Sequence, residues 1–177
     1  MKIQKVTIEN RPRVYALLQR AFPGSDYEVA LVKKLHEHGR LIHEWACIHT
    51  SKVIAYIAFT NAYHGGDVCG LHLAPMAVAP DFQKQGVGSE LLRFALRQGV
   101  ISSHPLFVLG EPAYYQRFGF APCRLPICPF DRNNTHFLSM RHAGETHFVV
   151  GYEPEFKTEA TPVAAPAKQR PRRTIRK

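Results

Sequence analysis

The stretch from Met76 to Ser89 combines the features that a protein backbone needs in order to hold a phosphate group. An apolar run leads through a loop into the turn Gln83–Ser89, and an amphipathic helical pattern follows. The first four N–H groups of a helix have no internal partner, and the helix dipole places partial positive charge beside them. Gly86 and Gly88 carry no side chain that would keep an anion from the backbone, and Lys84 adds a positive charge. The stretch therefore predicts a diphosphate site at a helix N-terminus.

Other interpretations of the same glycines remain open at this point. A tight turn can require glycine for its backbone dihedrals alone, without any ligand. A P-loop is excluded because no Gly-Lys-Ser/Thr sequence follows, and the three closely spaced glycines of a dinucleotide-binding turn are absent. The pattern Gln-x-x-Gly-x-Gly is by itself a modest signal.

A second segment about thirty residues later makes the signal more specific. The sequence Ala113–Phe120 resembles a short helix with a tyrosine before a Gly-Phe ending. Together the two segments resemble motif A and the following tyrosine helix of the GNAT acetyltransferases. The phrases Leu109–Tyr115 and Gly151–Phe156 further resemble the small bacterial YhbS-type acetyltransferases. The resemblance spans residues 1–156.

The resemblance implies acetyl-CoA as co-substrate and an acyltransferase reaction. The strand before the turn would expose its main chain to the pantetheine arm, as though the cofactor were one more strand, and the turn would hold the diphosphate. Pro75 stands where an interrupted strand ladder is expected. The residues that the resemblance assigns to cofactor binding are Met76, Ala77, Val78, Gln83, Lys84, Gln85, Gly86, Val87, Gly88 and Ser89.

The resemblance also implies the chemistry of transfer. Tyr115 matches the family tyrosine that protonates the leaving thiolate, and the reaction would be direct attack of a neutral amine on the thioester. The amine must lose a proton, so a base or a water chain is expected, with Glu111 and His72 as candidates. The backbone N–H following Met76 is the candidate for stabilising the oxyanion. The acceptor would be a primary amine of a small molecule or of a protein.

Helical and strand patterns alternate along residues 1–156 and predict the order β-α-α-β-β-β-α-β-α-β-β. The two last strands are predicted at His136–Met140 and Thr146–Tyr152. The implied fold is α+β (α/β): a mixed, mostly antiparallel sheet, splayed at a bulge between its two central parallel strands, with helices on both faces. Residues 1–156 form the predicted domain, and residues 157–177 form a basic tail predicted to be disordered.

The tail explains most of the net charge. Residues 157–177 hold seven of the 23 Lys and Arg residues and one of the 14 acidic residues, so they account for +6 of the charge of +9. Nucleic acid is therefore a candidate partner only through the tail. Two further functions stay open beside the enzyme: a non-catalytic acyl-CoA-binding module and a nucleic-acid-associated protein. Homodimers are common among similar proteins, so pairing of two copies is a further expectation.

Composition favours a cytoplasmic protein. No apolar run reaches the roughly 20 residues that cross a bilayer, and Met1–Lys5 lacks the apolar stretch of a secretory signal. The four cysteines form no C-x-x-C pair, and no histidine spacing completes a zinc pattern, so no metal is expected.

Overall fold

The structure, a computed structural model, describes residues 1–157 and contains one seven-stranded sheet. Its strands are β1 (Lys2–Lys5), β2 (His43–His49), β3 (Lys52–His64), β4 (Asp67–Val78), β5 (Leu106–Leu109), β6 (Ala121–Pro122) and β7 (Phe137–Met140). They lie in the order β1-β2-β3-β4-β5-β7-β6. Only β4 and β5 run parallel, and every other neighbouring pair is antiparallel. The predicted mixed, mostly antiparallel sheet is confirmed.

Helices cover both faces of this sheet. They are α1 (Arg11–Ala21), α2 (Tyr27–Glu37), α3 (Val87–Leu96), α4 (Gly99–Ser102) and α5 (Pro112–Tyr115), with short 3-10 helices at Ile8–Asn10, Pro80–Phe82, Gln116–Phe118 and Pro154–Lys157. None of the helices in this part of the chain is long and apolar enough to cross a membrane.

Successive side chains of a strand point to opposite faces of the sheet, so neighbouring residues pack against different helices. In β3, Ile57 and Phe59 belong to the core under α3, whereas Tyr56 and Ala58 pack with α1 and α2 on the opposite face. This strand is almost entirely buried because both of its faces are covered. Its neighbour β4 is the central strand of the seven and likewise packs against both helical layers.

The predicted elements are present up to β7, and the structure adds α4 between α3 and β5. Residues Thr146–Tyr152 do not form a strand but make isolated bridges, with Ile127 to Val149 and Tyr63 to Gly151. That prediction was wrong because the segment pairs at single positions with two different parts of the chain, so no continuous ladder forms. The sequence also missed the two-residue strand β6, which pairs with β7. The predicted tail lies, apart from Lys157, outside the described residues.

Candidate functional site

A gap opens between β4 and β5 toward their carboxyl ends. The two strands are paired at only three positions, from Leu71 opposite Leu106 to Leu73 opposite Val108. Strand β5 ends at Leu109, and β4 continues to Val78 without β5 beside it. A bulge lies at the start of the unpaired part: Ile57 is opposite Met76 and Phe59 opposite Leu73, so β4 has one residue too many.

The register of β4 against β3 shows which of its main-chain groups face this gap. The Ala79 amide donates to the Ile54 carbonyl oxygen at 2.8 Å, and hydrogen-bonded positions alternate along an antiparallel pair. Ala77, opposite Tyr56, therefore directs its N–H and C=O toward β3, whereas Met76 and Val78 direct theirs into the gap. The Val78 carbonyl oxygen accepts a hydrogen bond from Gln83 Nε2 at 3.1 Å.

This register corrects one expectation. The N–H following Met76 is that of Ala77, and it points into the β3–β4 ladder instead of the gap. It cannot serve as the proposed oxyanion donor without breaking that ladder. The amide of Met76 itself is the strand N–H that faces the open side.

The glycine turn holds its amides away from other protein groups. Lys84 and Gly86 have positive φ values of 59° and 84°, which the sequence accommodates with glycine at the second position. The amide of Gln83 donates to the Pro80 carbonyl oxygen at 3.3 Å, so this amide is occupied. Within the described chain, no protein group accepts a well-formed hydrogen bond from the amides of residues 84–89. These amides surround the N-terminus of α3, where the helix dipole is positive.

The turn, the free edge of β4 and the tyrosine helix line one cavity of about 550 Å³. Its lining residues are Met76, Val78, Phe82, Gln83, Lys84, Gly86, Gly88, Ser89, Tyr114, Tyr115 and Arg117. The charged groups among them, Lys84 and Arg117, are both cationic. The Arg117 guanidinium carbon lies 4.8 Å from the centre of the Tyr114 ring. An anion is the ligand charge that this cavity favours.

Seven of the ten residues predicted to bind the cofactor line this cavity, and three side chains do not. Ala77 is 4% exposed and faces the α1 side of the sheet, and Val87 is 4% exposed in the core under α3. Gln85 directs Nε2 to the Asp81 carbonyl oxygen at 2.8 Å and so braces the loop. Gln85 and Val87 can contribute only their unpaired amides.

The close approach of α3 to β4 requires glycine at position 88. A Cβ atom there would lie 3.0 Å from Met76 Cε, 3.0 Å from Val78 Cγ2 and 3.3 Å from Tyr114 Oη. The Tyr114 hydroxyl is buried without a hydrogen-bond partner, and burial raises its pKa, an effect that the nearby Ser89 side chain partly offsets. The narrowest part of the wall is therefore built from one glycine and three flanking side chains.

Tyr115 occupies the side of the cavity next to the end of β5. Its ring packs edge-on against Tyr114, with centroids 5.0 Å apart, and against Phe120 at 5.7 Å. Burial raises the pKa of Tyr115 far above its ordinary value, so the phenol is neutral at every physiological pH. A neutral phenol at this place can donate a hydrogen bond to a developing anion.

The two candidate bases lie in different surroundings. Glu111 is exposed at the N-terminus of α5, where its carboxylate accepts from the Ala113 amide at 3.4 Å, and it does not line the cavity. His72 is 1% exposed, and burial lowers its pKa to about 3. Its Nε2 donates to the Gly151 carbonyl oxygen at 3.0 Å, and its ring stacks on Tyr152 at 3.5 Å. His72 is a neutral core residue, unsuited to collect a proton from a substrate.

Sequence reasoning missed three residues of the cavity: Phe82, Tyr114 and Arg117. The ring of Tyr114 packs against Phe118 in the manner of a core residue, but its hydroxyl lies beside Gly88. Arg117 belongs to the segment that carries the family resemblance, and its positive charge is the one feature of the sequence that could have predicted a place beside an anionic ligand. Among residues 1–157, no group of three or more His, Cys, Asp or Glu side chains could hold a metal ion.

Comparison with known proteins places the matches on these same elements. The model of the acetyltransferase (GNAT) domain matches residues 41–122, from β2 through the glycine turn and the tyrosine helix to β6. The N-acetyltransferase YjhQ of Escherichia coli K12 is 36% identical over 110 residues, which are 59% of this chain and 60% of that protein. YhbS of the same strain is 36% identical over 112 residues, 62% of this chain and 66% of that protein. The chain thus spans somewhat less than two thirds of the curated relatives it matches.

Solved structures extend the likeness over most of the described chain. The crystal structure of E. coli YhbS in complex with CoA matches with a TM-score of 0.79 and 28% identity, covering 88% of this chain and 91% of that one. A GNAT acetyltransferase from Brucella melitensis in complex with acetyl-CoA has a TM-score of 0.73 and 24% identity, covering 88% and 97%. Because only 24% of the residues are identical, the match to the Brucella protein shows a shared fold and nothing more.

Proposed function

We infer that the chain is a member of the GNAT superfamily, and we propose that it is an N-acetyltransferase that moves an acetyl group from acetyl-CoA to a primary amine. The observation that carries the proposal is the meeting, in one cavity, of two sets of main-chain groups that no helix or strand bond occupies. The amides of residues 84–89 have no acceptor among the described residues of the protein, and four of these six residues line the cavity; the main chain of Met76 and Val78 faces the same opening from β4. A ligand with a diphosphate at one end and amides along its length can use both sets.

The residues fit acetyl-CoA as co-substrate. Unpaired amides at a helix N-terminus, with Lys84 and Arg117 beside them, suit the diphosphate. The open edge of β4 offers main-chain partners to the pantetheine amides, with Gln83 Nε2 as the group that would exchange its bond to Val78. Acetyl-CoA would supply the activated acyl group and a thiolate leaving group.

Tyr115 is proposed to assist departure of the thiolate. Since burial keeps the phenol protonated, it always has a hydrogen to donate. The same burial makes it a weaker acid than a thiol, whose pKa is about 8.5, so full proton transfer is uphill in the resting environment. We therefore assign to Tyr115 a hydrogen bond that strengthens as negative charge grows on sulfur, which is the contribution that lowers the barrier.

Glu111 is proposed as the base for the amine, acting through water because its carboxylate does not line the cavity. Its position supports this role: it follows the end of β5 and precedes Tyr115 by four residues. The acceptor is proposed to be a primary amine of a small molecule or a protein. The alternative of a non-catalytic acyl-CoA-binding module uses the same cavity and differs in turnover alone. Nucleic-acid binding through the tail concerns residues outside those described.

Thermal unfolding with acetyl-CoA, followed by thiol release over a panel of amines and lysine peptides, tests the proposal. At one hundred times Kd, a ligand adds about 2.7 kcal/mol, which for a chain of this size raises Tm by about 5 to 10 °C. Tyr115→Phe should keep this shift but lower kcat about 100-fold, whereas Tyr15→Phe, whose hydroxyl bonds His36 away from the cavity, should change neither.

The outcomes separate the candidate functions. An unchanged Tm together with no thiol release would overturn the proposal. A raised Tm without turnover of any amine would support the non-catalytic binding module. Full turnover by Tyr115→Phe would remove the role assigned to that hydroxyl while leaving the acetyltransferase proposal in place.

A further inference from the structure

The ring of Tyr115 lies directly against the main chain of Gly110. A Cβ atom built at position 110 would be 2.6 Å from Cε2 of Tyr115, 3.4 Å from Cδ2 and 3.5 Å from Cζ. The first distance is far inside ordinary carbon contact, which is about 3.5 to 4.0 Å. The space that a side chain at position 110 would need is therefore filled by the tyrosine ring.

The main chain of Gly110 is held in place. Its amide donates to the His136 carbonyl oxygen at 3.0 Å, which ties it to the segment leading into β7. Its φ is not positive, so the backbone itself would accept alanine. A side chain at this position would consequently displace the ring rather than strain the turn.

The ring has little freedom on its other sides. Tyr114 meets it at an interplanar angle of 87° and Phe120 at 72°. Gly110 is a third neighbour of the ring. The ring is partly buried and has these three contacts, so the absence of a side chain at position 110 helps to set the position of its hydroxyl in the cavity.

We infer that Gly110 is a positioning residue for the reaction: it sets where the Tyr115 hydroxyl stands at the opening between β4 and β5. This inference rests on the proposed function, because only that function gives the Tyr115 hydroxyl a role in acetyl transfer. Relieving the contact requires the ring to move by about 1 Å. A misplacement of that size at a reacting group can reduce a rate about 100-fold.

A double-mutant cycle separates positioning from a general structural effect. Gly110→Ala and Tyr115→Phe are made singly and together, with Gly99→Ala as matched control because a Cβ at position 99 meets nothing within 4 Å. Turnover is followed as thiol release from acetyl-CoA with the amine of the panel that reacts fastest. CoA affinity is measured by calorimetry.

Gly110→Ala is expected to lower kcat about 30- to 100-fold while KM for acetyl-CoA and Kd for CoA change less than about threefold. In the Tyr115→Phe background the same change should cost less than about threefold, since no hydroxyl remains to be displaced. An equal loss in both backgrounds, or no loss in the wild-type background, would overturn the inference.

A spectroscopic measurement keeps the test independent of turnover. The chain has seven tyrosines, and Tyr115→Phe identifies the Tyr115 signal in a spectrum of ¹³C-tyrosine-labelled protein. Gly110→Ala should shift that signal more than the other six, and Gly99→Ala should not. If Gly110→Ala shifts the Tyr115 signal but the wild-type protein turns over no amine, the proposed function is refuted while the contact between Gly110 and Tyr115 is supported. Turnover with an unshifted signal would sink the inference alone.

Discussion

The Gly88→Ala substitution is expected to weaken acetyl-CoA binding at least about tenfold while the protein still folds. The added methyl group would stand 3.0 Å from both Met76 Cε and Val78 Cγ2, so it enters the wall between the turn and β4. Ordinary contact requires about 0.5 to 1 Å more, and only the flexible end of Met76 can retreat easily. The valine is stiff, so the helix start must move instead.

The effects of Gly88→Ala on the free energy of unfolding and on the Kd for CoA differ in expected size. Overpacking costs about 1 to 3 kcal/mol, and exchanging glycine for alanine in a helix returns up to about 1 kcal/mol. The free energy of unfolding should therefore fall by about 0 to 2 kcal/mol. A hydrogen bond from an amide to a charged group contributes about 1.5 to 3 kcal/mol, so losing one raises Kd by about 10- to 100-fold.

Calorimetric titration of CoA into wild-type protein, Gly88→Ala and Gly99→Ala measures this difference, with urea unfolding of each variant as the check on folding. Gly99→Ala adds the same methyl group to another helix, where it meets nothing within 4 Å. A Kd for Gly88→Ala within twofold of the wild-type value, in a protein of unchanged stability, would refute the reasoning. The approach of α3 to β4 would then be unrelated to ligand binding.

Three further outcomes are expected. Burial lowers the pKa of His72 to about 3, so the unfolded state binds one more proton than the folded state between pH 6.5 and about pH 3. The free energy of unfolding therefore falls as the pH decreases through this range. In urea unfolding, His72→Phe should reduce that slope by up to about 1.4 kcal/mol per pH unit. Gly86→Ala at φ 84° should lower the unfolding free energy by about 1 to 2 kcal/mol, and Gly86→Asn by less, because asparagine tolerates that region. Glu111→Gln keeps an oxygen that accepts from the Ala113 amide but removes the negative charge. The variant should therefore preserve Tm and CoA affinity and lower kcat. An unchanged pH profile of kcat would rule out Glu111 as the base.

Local features of the site could be predicted from the sequence because neighbouring residues encode them. The glycine dihedrals and the helix that begins at Val87 depend on a few adjacent residues, and the predicted turn lies at that helix start. Tyr115 was singled out by its spacing from the Gly119-Phe120 pair, and the structure brings it to the same cavity as the turn. Its role in catalysis stays a prediction.

What depends on long-range pairing could not be predicted from the sequence. Whether a strand has a neighbour is a property of the whole sheet, so the length of the opening beside β4 and the wrong strand at Thr146–Tyr152 both escaped local patterns. The direction of the Ala77 amide follows from the register that the β4 bulge sets against β3.

The glycine turn and the tyrosine helix could be predicted from the residues alone, since both are short segments whose backbone is dictated by their own residues. Three features became known from the three-dimensional packing: β4 continues beside that turn without β5 as its neighbour, His72 is buried in the core, and the ring of Tyr115 fills the space next to Gly110. The first two features depend on residues far apart in the chain, and the third joins residues five positions apart whose backbone is held by the bond from Gly110 to His136. Their geometry is fixed by packing and strand register, which no local pattern records.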